Sequence, residues 1–134
     1  MSSFISAKTG NLVSFAVDDL RASQQARDFI DNLCITFGVL YNYIPDISCV
    51  LKEYDTYEEK VKSLMRHSEK LATATRLLEE VDGDIEVSKN LRMCADCHTF
   101  AKLLSTHFKR KFMIYDKSFQ HVFEDGKCSC NERY

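Results

Sequence analysis

A layered α/β fold, with a mixed central β-sheet flanked by helices, is the fold class this sequence predicts. Three observations predict it. Strand-like runs alternate with helix-length amphipathic stretches through the second half, the order that builds a sheet covered by helices. Turn signals, Asp82-Gly83-Asp84 and Gly126, fall between those runs. The length of 134 residues, 45% of them hydrophobic, suffices for one core but not for two. No internal repeat or low-complexity segment interrupts the pattern.

Residues 12–17 read as a short strand after a turn at Thr9-Gly10-Asn11. Asp18 and Asp19 can open a helix that runs to about Phe37, with Gly38 as its stop. Residues 41–51 hold the only proline, Pro45, and read as a connector into a short extended segment. From Tyr54 to Leu78 the apolar residues Tyr57, Val61, Leu64, Met65, Leu71 and Leu78 recur at helical spacing, so a helix broken near His67 is expected. Ile85, Glu86 and Val87 form a half-buried strand. Residues 95–108 form a helix whose first turn holds a cysteine pair. Residues 111–116 and 119–123 are two further strands, and Gly126 turns the chain into the Cys128-Ser129-Cys130 tail.

No apolar run reaches the ~18 residues of a membrane span, so no membrane contact is expected. Residues 1–8 lack the basic start and apolar stretch of a signal peptide and the Arg-rich pattern of a transit peptide, so the sequence carries no address of its own. The net charge is −2. Acidic residues crowd the middle, and Lys89, Arg92, Lys102, Lys109, Arg110, Lys111 and Lys117 follow, a set that could meet phosphates or simply be solvated.

Of six cysteines, four sit in tight pairs with histidines nearby. That spacing favours metal over disulfides, and a Cys128–Cys130 disulfide would be strained. Cys34 and Cys49 read as core residues. Cys94 and Cys97, three apart at a helix start, can turn both sulfurs to one point, where unpaired amides stabilise thiolates. Alone, the pair leaves redox dithiol, zinc knuckle and iron–sulfur ligation open.

His67-Ser-Glu69 narrows the choice. H-x-E upstream of C-x-x-C is the signature of zinc deaminases that act on nucleobases. His67, Cys94 and Cys97 supply three ligands, and the fourth tetrahedral position is left for water, as in a catalytic zinc site. Zinc lowers the pKa of that water to roughly 7. Glu69 is the expected catalytic proton shuttle: it takes the water's proton, passes it to N3 of cytosine, and later protonates the leaving amine while hydroxide adds at C4. Met93 stands where the broad signature has proline.

His98, His121, Cys128 and Cys130 make a second, closed set, the four-ligand pattern of a structural zinc, which would pin the tail to the helix bearing Cys94 and Cys97. His107 has no partner pattern and reads as a surface or core histidine. Phe112, Tyr115, Phe119 and Phe123 could stack on a base, though such residues are more often core.

With these residues in view, the sequence resembles the DYW domain found at the C-terminus of many plant pentatricopeptide-repeat RNA-editing proteins. The likeness is carried by His67-Ser-Glu-Lys-Leu-Ala72, by Ile85-Glu-Val-Ser-Lys-Asn-Leu-Arg-Met-Cys-Ala-Asp-Cys97 with His98-Thr99, and by Asp125-Gly-Lys-Cys-Ser-Cys130. Tyr43-Ile-Pro-Asp-Ile-Ser48 looks like the family's shorter signature ahead of the active site.

The resemblance implies a cytidine deaminase-like fold with a zinc-bound C-terminal tail, and C-to-U editing of cytidine in single-stranded organelle RNA. The target would be chosen by a pentatricopeptide-repeat array in cis or in trans, in mitochondrion or chloroplast. It implies two zinc ions per chain: His67, Cys94 and Cys97 with Glu69 catalytic, and His98, His121, Cys128 and Cys130 structural. It treats residues 1–134 as one domain, with 1–42 a divergent N-terminal portion and 43–134 the zinc core and tail. Three departures stand out. Glu132-Arg133-Tyr134 replaces Asp-Tyr-Trp. Ser3-Phe4-Ile5 stands where the Pro-Gly box has its tryptophan. Ala22-Ser23 replaces a His-Pro pair. A zinc-stabilised module that docks on editing factors or RNA without turnover is the competing reading.

Overall fold

The computed structural model describes residues 1–6, 10–16, 19–50, 52–80, 82–117 and 119–130. Among these residues six strands form one mixed sheet in the order β2-β1-β3-β4-β5-β6. They are β1 (Ser2–Ile5), β2 (Leu12–Phe15), β3 (Ile85–Lys89), β4 (Phe112–Tyr115), β5 (Gln120–Glu124) and β6 (Lys127–Cys128). Among the described residues, only β3 and β4 pair in parallel. That pairing requires a crossover, which α4 (Ala95–Phe108) supplies.

The period of two sorts each strand into a buried and an open side. Ser2, Phe4, Ile85, Val87, Phe112, Ile114, His121 and Phe123 are buried, and the register brings them to one face. α3 (Ser68–Glu79) and α4 cover that face. α1 (Gln24–Tyr41) packs on α3 and reaches α4 through Phe37 against Phe100, with ring centroids 5.2 Å apart. Phe37, Phe112 and Phe123 have no exposed surface, and burying each such side chain stabilises the fold by roughly 1.5–3 kcal/mol. No described helix is long and apolar enough to cross a membrane.

Three elements differ from the sequence expectation. β1 was not foreseen: only four residues long, it gains its definition from partners on both sides, β2 and β3. α1 starts at Gln24 rather than at Asp18 or Asp19. Ser23 is its N-cap and accepts a hydrogen bond from the Ala26 N–H, whereas the Asp19 carboxylate accepts from the backbone N–H groups of Ala16 and Arg21 and pairs with the Arg21 guanidinium. Asp18, like Thr9 and Val17 of the expected turn and strand, lies outside the described residues. Gly38 does not stop α1. The helix runs through it to Tyr41 and ends where Asn42 adopts a left-handed conformation, φ 58°.

The connector after α1 tightens into a 3₁₀ turn at Ile47–Cys49 rather than an extended run, because the Asp46 side chain caps it at the Ser48 N–H. The long helical stretch is broken as expected, into α2 (Tyr57–Leu64) and α3, with His67 at the joint. α4 spans the anticipated residues. At the β5–β6 turn, Asp125 and Gly126 both have positive φ, 53° and 78°, the requirement of a tight two-residue hairpin. A Cβ on Gly126 would stand 2.6 Å from Thr106 Oγ1, so glycine is needed there for space as well as for φ.

Candidate active site

Two helix N-termini create the site. His67 occupies the position just before α3 and Cys94 the N-cap of α4, so both side chains project from ends where backbone N–H groups are unpaired. Cys97, one turn into α4, donates its backbone N–H to Cys94 Sγ at 3.4 Å. His67 Nδ1 lies 3.7 Å from Cys94 Sγ and 3.5 Å from Cys97 Sγ. All three candidate ligand atoms fall within 4.8 Å of one another. Two sulfurs and one imidazole nitrogen at these separations fit a tetrahedral zinc, whose bonds run roughly 2.0–2.3 Å.

Electrostatics at this set separates the two thiols. The hydrogen bond between them pulls Cys94 down to about 4, against burial and with help from His67 and Lys70. Burial, followed by the same hydrogen bond, pushes Cys97 well above the ordinary thiol value.

Glu69 sits in the first turn of α3 and is buried. Its carboxylate is engaged at Oε2 by the Lys89 ammonium, which also donates to the Arg92 carbonyl at 3.3 Å. Burial works to raise the Glu69 carboxyl, but the Lys89 charge overrides it and holds the group below its usual value. Lys89 was not singled out from sequence as part of a site. A strand period of two puts it on the same side as Ile85 and Val87, the covered face, and that signal was legible.

A cleft of about 440 Å³ opens over these groups. His67, Glu69, Cys94 and Lys89 share it with Lys52, Tyr54, Leu91 and Arg92. The Lys52 ammonium lies 5.5 Å from the centre of the Tyr54 ring. Cys49, expected to be plain core, also lines the cleft, because the 3₁₀ turn carries it there. Cys34 is half-buried against the core.

The second set comes together as well. His98, His121, Cys128 and Cys130 are all buried, with candidate ligand atoms within 4.8 Å. His98 Nε2 lies 3.2 Å from Cys130 Sγ, and Cys128 Sγ lies 3.4 Å from His121 Nδ1. On its other side His121 Nε2 meets Asp116 Oδ2 at 2.8 Å. A carboxylate that fixes a histidine's tautomer in this way is the usual outer partner of a metal-bound imidazole. Asp116 also accepts the Met93 N–H at 3.0 Å and the Phe119 N–H at 2.8 Å. It therefore ties the residue before Cys94 to the second set. Burial pushes Cys128 up to about 11, and burial with the nearby His121 and Lys102 lowers His98 to about 4. All six cysteines are free thiols, and no Cys128–Cys130 disulfide forms.

Other sequence candidates are placed elsewhere. Phe112 and Phe123 are fully buried and cannot stack on a base. Phe119 packs on His121. His107 stands by Tyr41, whose hydroxyl is 3.3 Å from Nδ1. Three of the late basic residues are engaged within the protein: Lys89 turns inward to Glu69, Arg110 binds the carbonyls of Gly83 and Glu80, and Lys111 pairs with Glu124. Glu132, Arg133 and Tyr134 lie outside the described residues.

Comparison with known proteins adds a family. Residues 42–134 match the model described as the DYW family of nucleic acid deaminases. A putative mitochondrial pentatricopeptide repeat-containing protein of Arabidopsis thaliana is 48% identical over 91 residues, 67% of this chain and 14% of that protein. A chloroplastic pentatricopeptide repeat-containing protein of the same plant is 48% identical over 94 residues, 69% of this chain and 16% of that protein. A third Arabidopsis thaliana pentatricopeptide repeat-containing protein is 44% identical over 127 residues, 92% of this chain and 21% of its own length. The chain spans 14% to 21% of the length of these relatives.

Proposed function

This chain belongs to the DYW family of nucleic acid deaminases, and we propose that it catalyses zinc-dependent hydrolysis of cytidine to uridine in single-stranded organelle RNA. The observation that carries the proposal is the convergence of His67, Cys94 and Cys97 on one point, with Glu69 two residues from the histidine in the same cleft. His67, Cys94 and Cys97 hold the catalytic zinc. His98, His121, Cys128 and Cys130 hold a second, structural zinc that fixes β5 and β6 to α4. The whole chain acts as one domain, since β1 and β2 of the N-terminal 42 residues extend the same sheet.

Zinc at the first set would supply a Lewis acid that brings the pKa of water to roughly 7. The remaining chemistry falls to side chains. Glu69, kept ionised by Lys89, accepts the proton of the attacking water and delivers it to N3 of cytosine. It then relays the second proton to the departing amine, so that cytidine and water become uridine and ammonia. Buried among protein groups, this carboxylate acts in a medium where its hydrogen bonds count for more than in water.

Lys52 and Arg92, both exposed on the cleft, suit the phosphates of an RNA strand, and Tyr54 offers a ring to an unstacked base. A neighbouring cavity of about 400 Å³ shares Tyr54 and Ser63 with the cleft, which gives the strand a path onward. The names of the relatives support targeting by a pentatricopeptide-repeat array, in cis or in trans, and a mitochondrial or chloroplast setting.

One observation favours the second reading, a zinc-stabilised module that docks on editing factors or RNA without turnover: the Glu69 carboxylate is already held by Lys89. Against it, a purely structural zinc has no use for a carboxylate beside an open coordination position. The deciding test is to sequence a target RNA after incubation with the zinc-loaded chain and a repeat-array partner, with and without chelator. Conversion of C to U that disappears with chelator supports the enzyme; zinc binding with no conversion in either arm supports the docking module.

A further inference from the structure

Next to Glu69 stands a lysine that the chemistry above does not use. Lys70 does not line the cleft. It points the other way, into the contact between α3 and α4, and its side chain is 2% exposed. There the ammonium donates to Cys97 Sγ at 3.1 Å and pairs with Asp96 Oδ2 at 2.9 Å. Its Nζ also lies 5.4 Å from the centre of the Phe100 ring. Asp96, itself 1% exposed, accepts the Tyr43 hydroxyl at 2.8 Å and the Asp46 N–H at 2.9 Å through Oδ1.

Burying two opposite charges costs several kcal/mol per ion, and well-packed apolar residues would hold two helices together at least as well. Helix packing alone therefore gives no reason for Lys70. The arrangement has direction: Tyr43 and Asp46 fix Asp96, Asp96 fixes the ammonium, and the ammonium aims at one sulfur of the candidate metal set. Cys97 is deeply buried, while Cys94 is half-exposed and already accepts a backbone N–H. The two sulfurs thus need different support, and only Cys97 has a cation within hydrogen-bond distance among the described contacts.

We propose that Lys70 is a positioning residue of the first metal set: its ammonium hydrogen bond aims the Cys97 sulfur at the ligand point and draws electron density from it. Asp96 and Tyr43 keep the ammonium in place. The inference rests on the reading that His67, Cys94 and Cys97 bind zinc. A charge-assisted hydrogen bond lowers the energy of the sulfur lone pair, so the metal there is the more electrophilic for it. The contacts of Lys70 go to Cys97, Asp96 and Phe100, so the second set serves as an internal control.

The test uses the whole chain loaded with zinc or with cobalt(II), comparing wild type with the pair variant Lys70→Met/Asp96→Asn, which removes both buried charges together. Chelator competition reads zinc affinity at each set, and the sulfur-to-cobalt charge-transfer band reads the thiolate. The expected result is a ~10–100-fold loss of affinity at the first set, a shift of the band to longer wavelength, and an unchanged second set. Unchanged affinity and band would overturn the inference. So would an equal loss at both sets, which would mean that Lys70 serves only the packing of α4.

If the pair variant fails to fold, Tyr43→Phe loosens the same chain of contacts one step further out. It should move the band in the same direction by less, and no movement would overturn the inference. A wild-type chain with metal at the second set alone would instead sink the zinc reading of the first.

Discussion

The Lys89 ammonium on β3 lies against the Glu69 carboxylate on α3, with both side chains buried at 8% and 5% exposure. Strand and helix thus meet at the proposed proton shuttle, and the lysine fixes its direction. Lys89→Met should leave both zinc ions in place while lowering kcat, by about 10-fold or more, because the carboxylate loses the partner that orients it. Zinc analysis and single-turnover editing on the same preparation check this. Loss of zinc together with activity would show that Lys89 supports the fold rather than Glu69.

The second set is proposed to be structural. Cys128→Ala should reduce zinc from two ions per chain to one and lower the melting temperature, since metal binding at a closed site contributes directly to folding. Elemental analysis with thermal unfolding decides it. Retention of two ions would exclude Cys128 as a ligand.

Asp116 holds both the His121 imidazole and the Met93 N–H. Asp116→Asn should weaken zinc at the second set by ~10–100-fold, as outer-partner changes commonly do. Because Met93 precedes Cys94, the first set should weaken as well, to a smaller extent. Stepwise chelation would separate the two effects.

Gly126→Ala tests the hairpin that delivers Cys128. With φ at 78° and Thr106 Oγ1 in the way, the substitution should cost about 1–2 kcal/mol. Denaturant unfolding reads that loss directly, and a neutral result would mean that the turn can relax.

Asp19 gives a pH signature. The Arg21 side-chain hydrogen bond, helped by the Ala16 and Arg21 backbone N–H groups, holds its carboxyl well below the ordinary value. A carboxyl depressed in the folded state stabilises above its unfolded value, roughly 3.9, and that stability is lost as pH falls further toward the folded value. The melting-temperature gap between wild type and Asp19→Asn should therefore be constant above about pH 5 and shrink below it. A gap that is flat with pH would mean that the carboxylate contributes nothing.

The candidate site residues could be picked out because their spacing is local: one residue stands between His67 and Glu69 and two between Cys94 and Cys97. α4 was legible to the residue, with the cysteine pair at its start as expected. β1 was not, since four residues of Ser-Ser-Phe-Ile become a strand only when β2 and β3 lie beside them. The start of α1 was misplaced because two aspartates compete as caps, and Asp19 is drawn off by Arg21. Lys70, Asp96 and Asp116 were invisible as site residues, because their roles depend on contacts across 23 to 53 positions of the sequence.

The central claim is that Glu69 moves the protons of a zinc-dependent deamination. It is tested most directly by scoring C-to-U conversion in target RNA with the zinc-loaded Glu69→Ala chain and a repeat-array partner, beside wild type. The account predicts two zinc ions in both proteins and conversion in wild type that falls by at least ~10²-fold in the variant. Conversion by Glu69→Ala at the wild-type rate would contradict it.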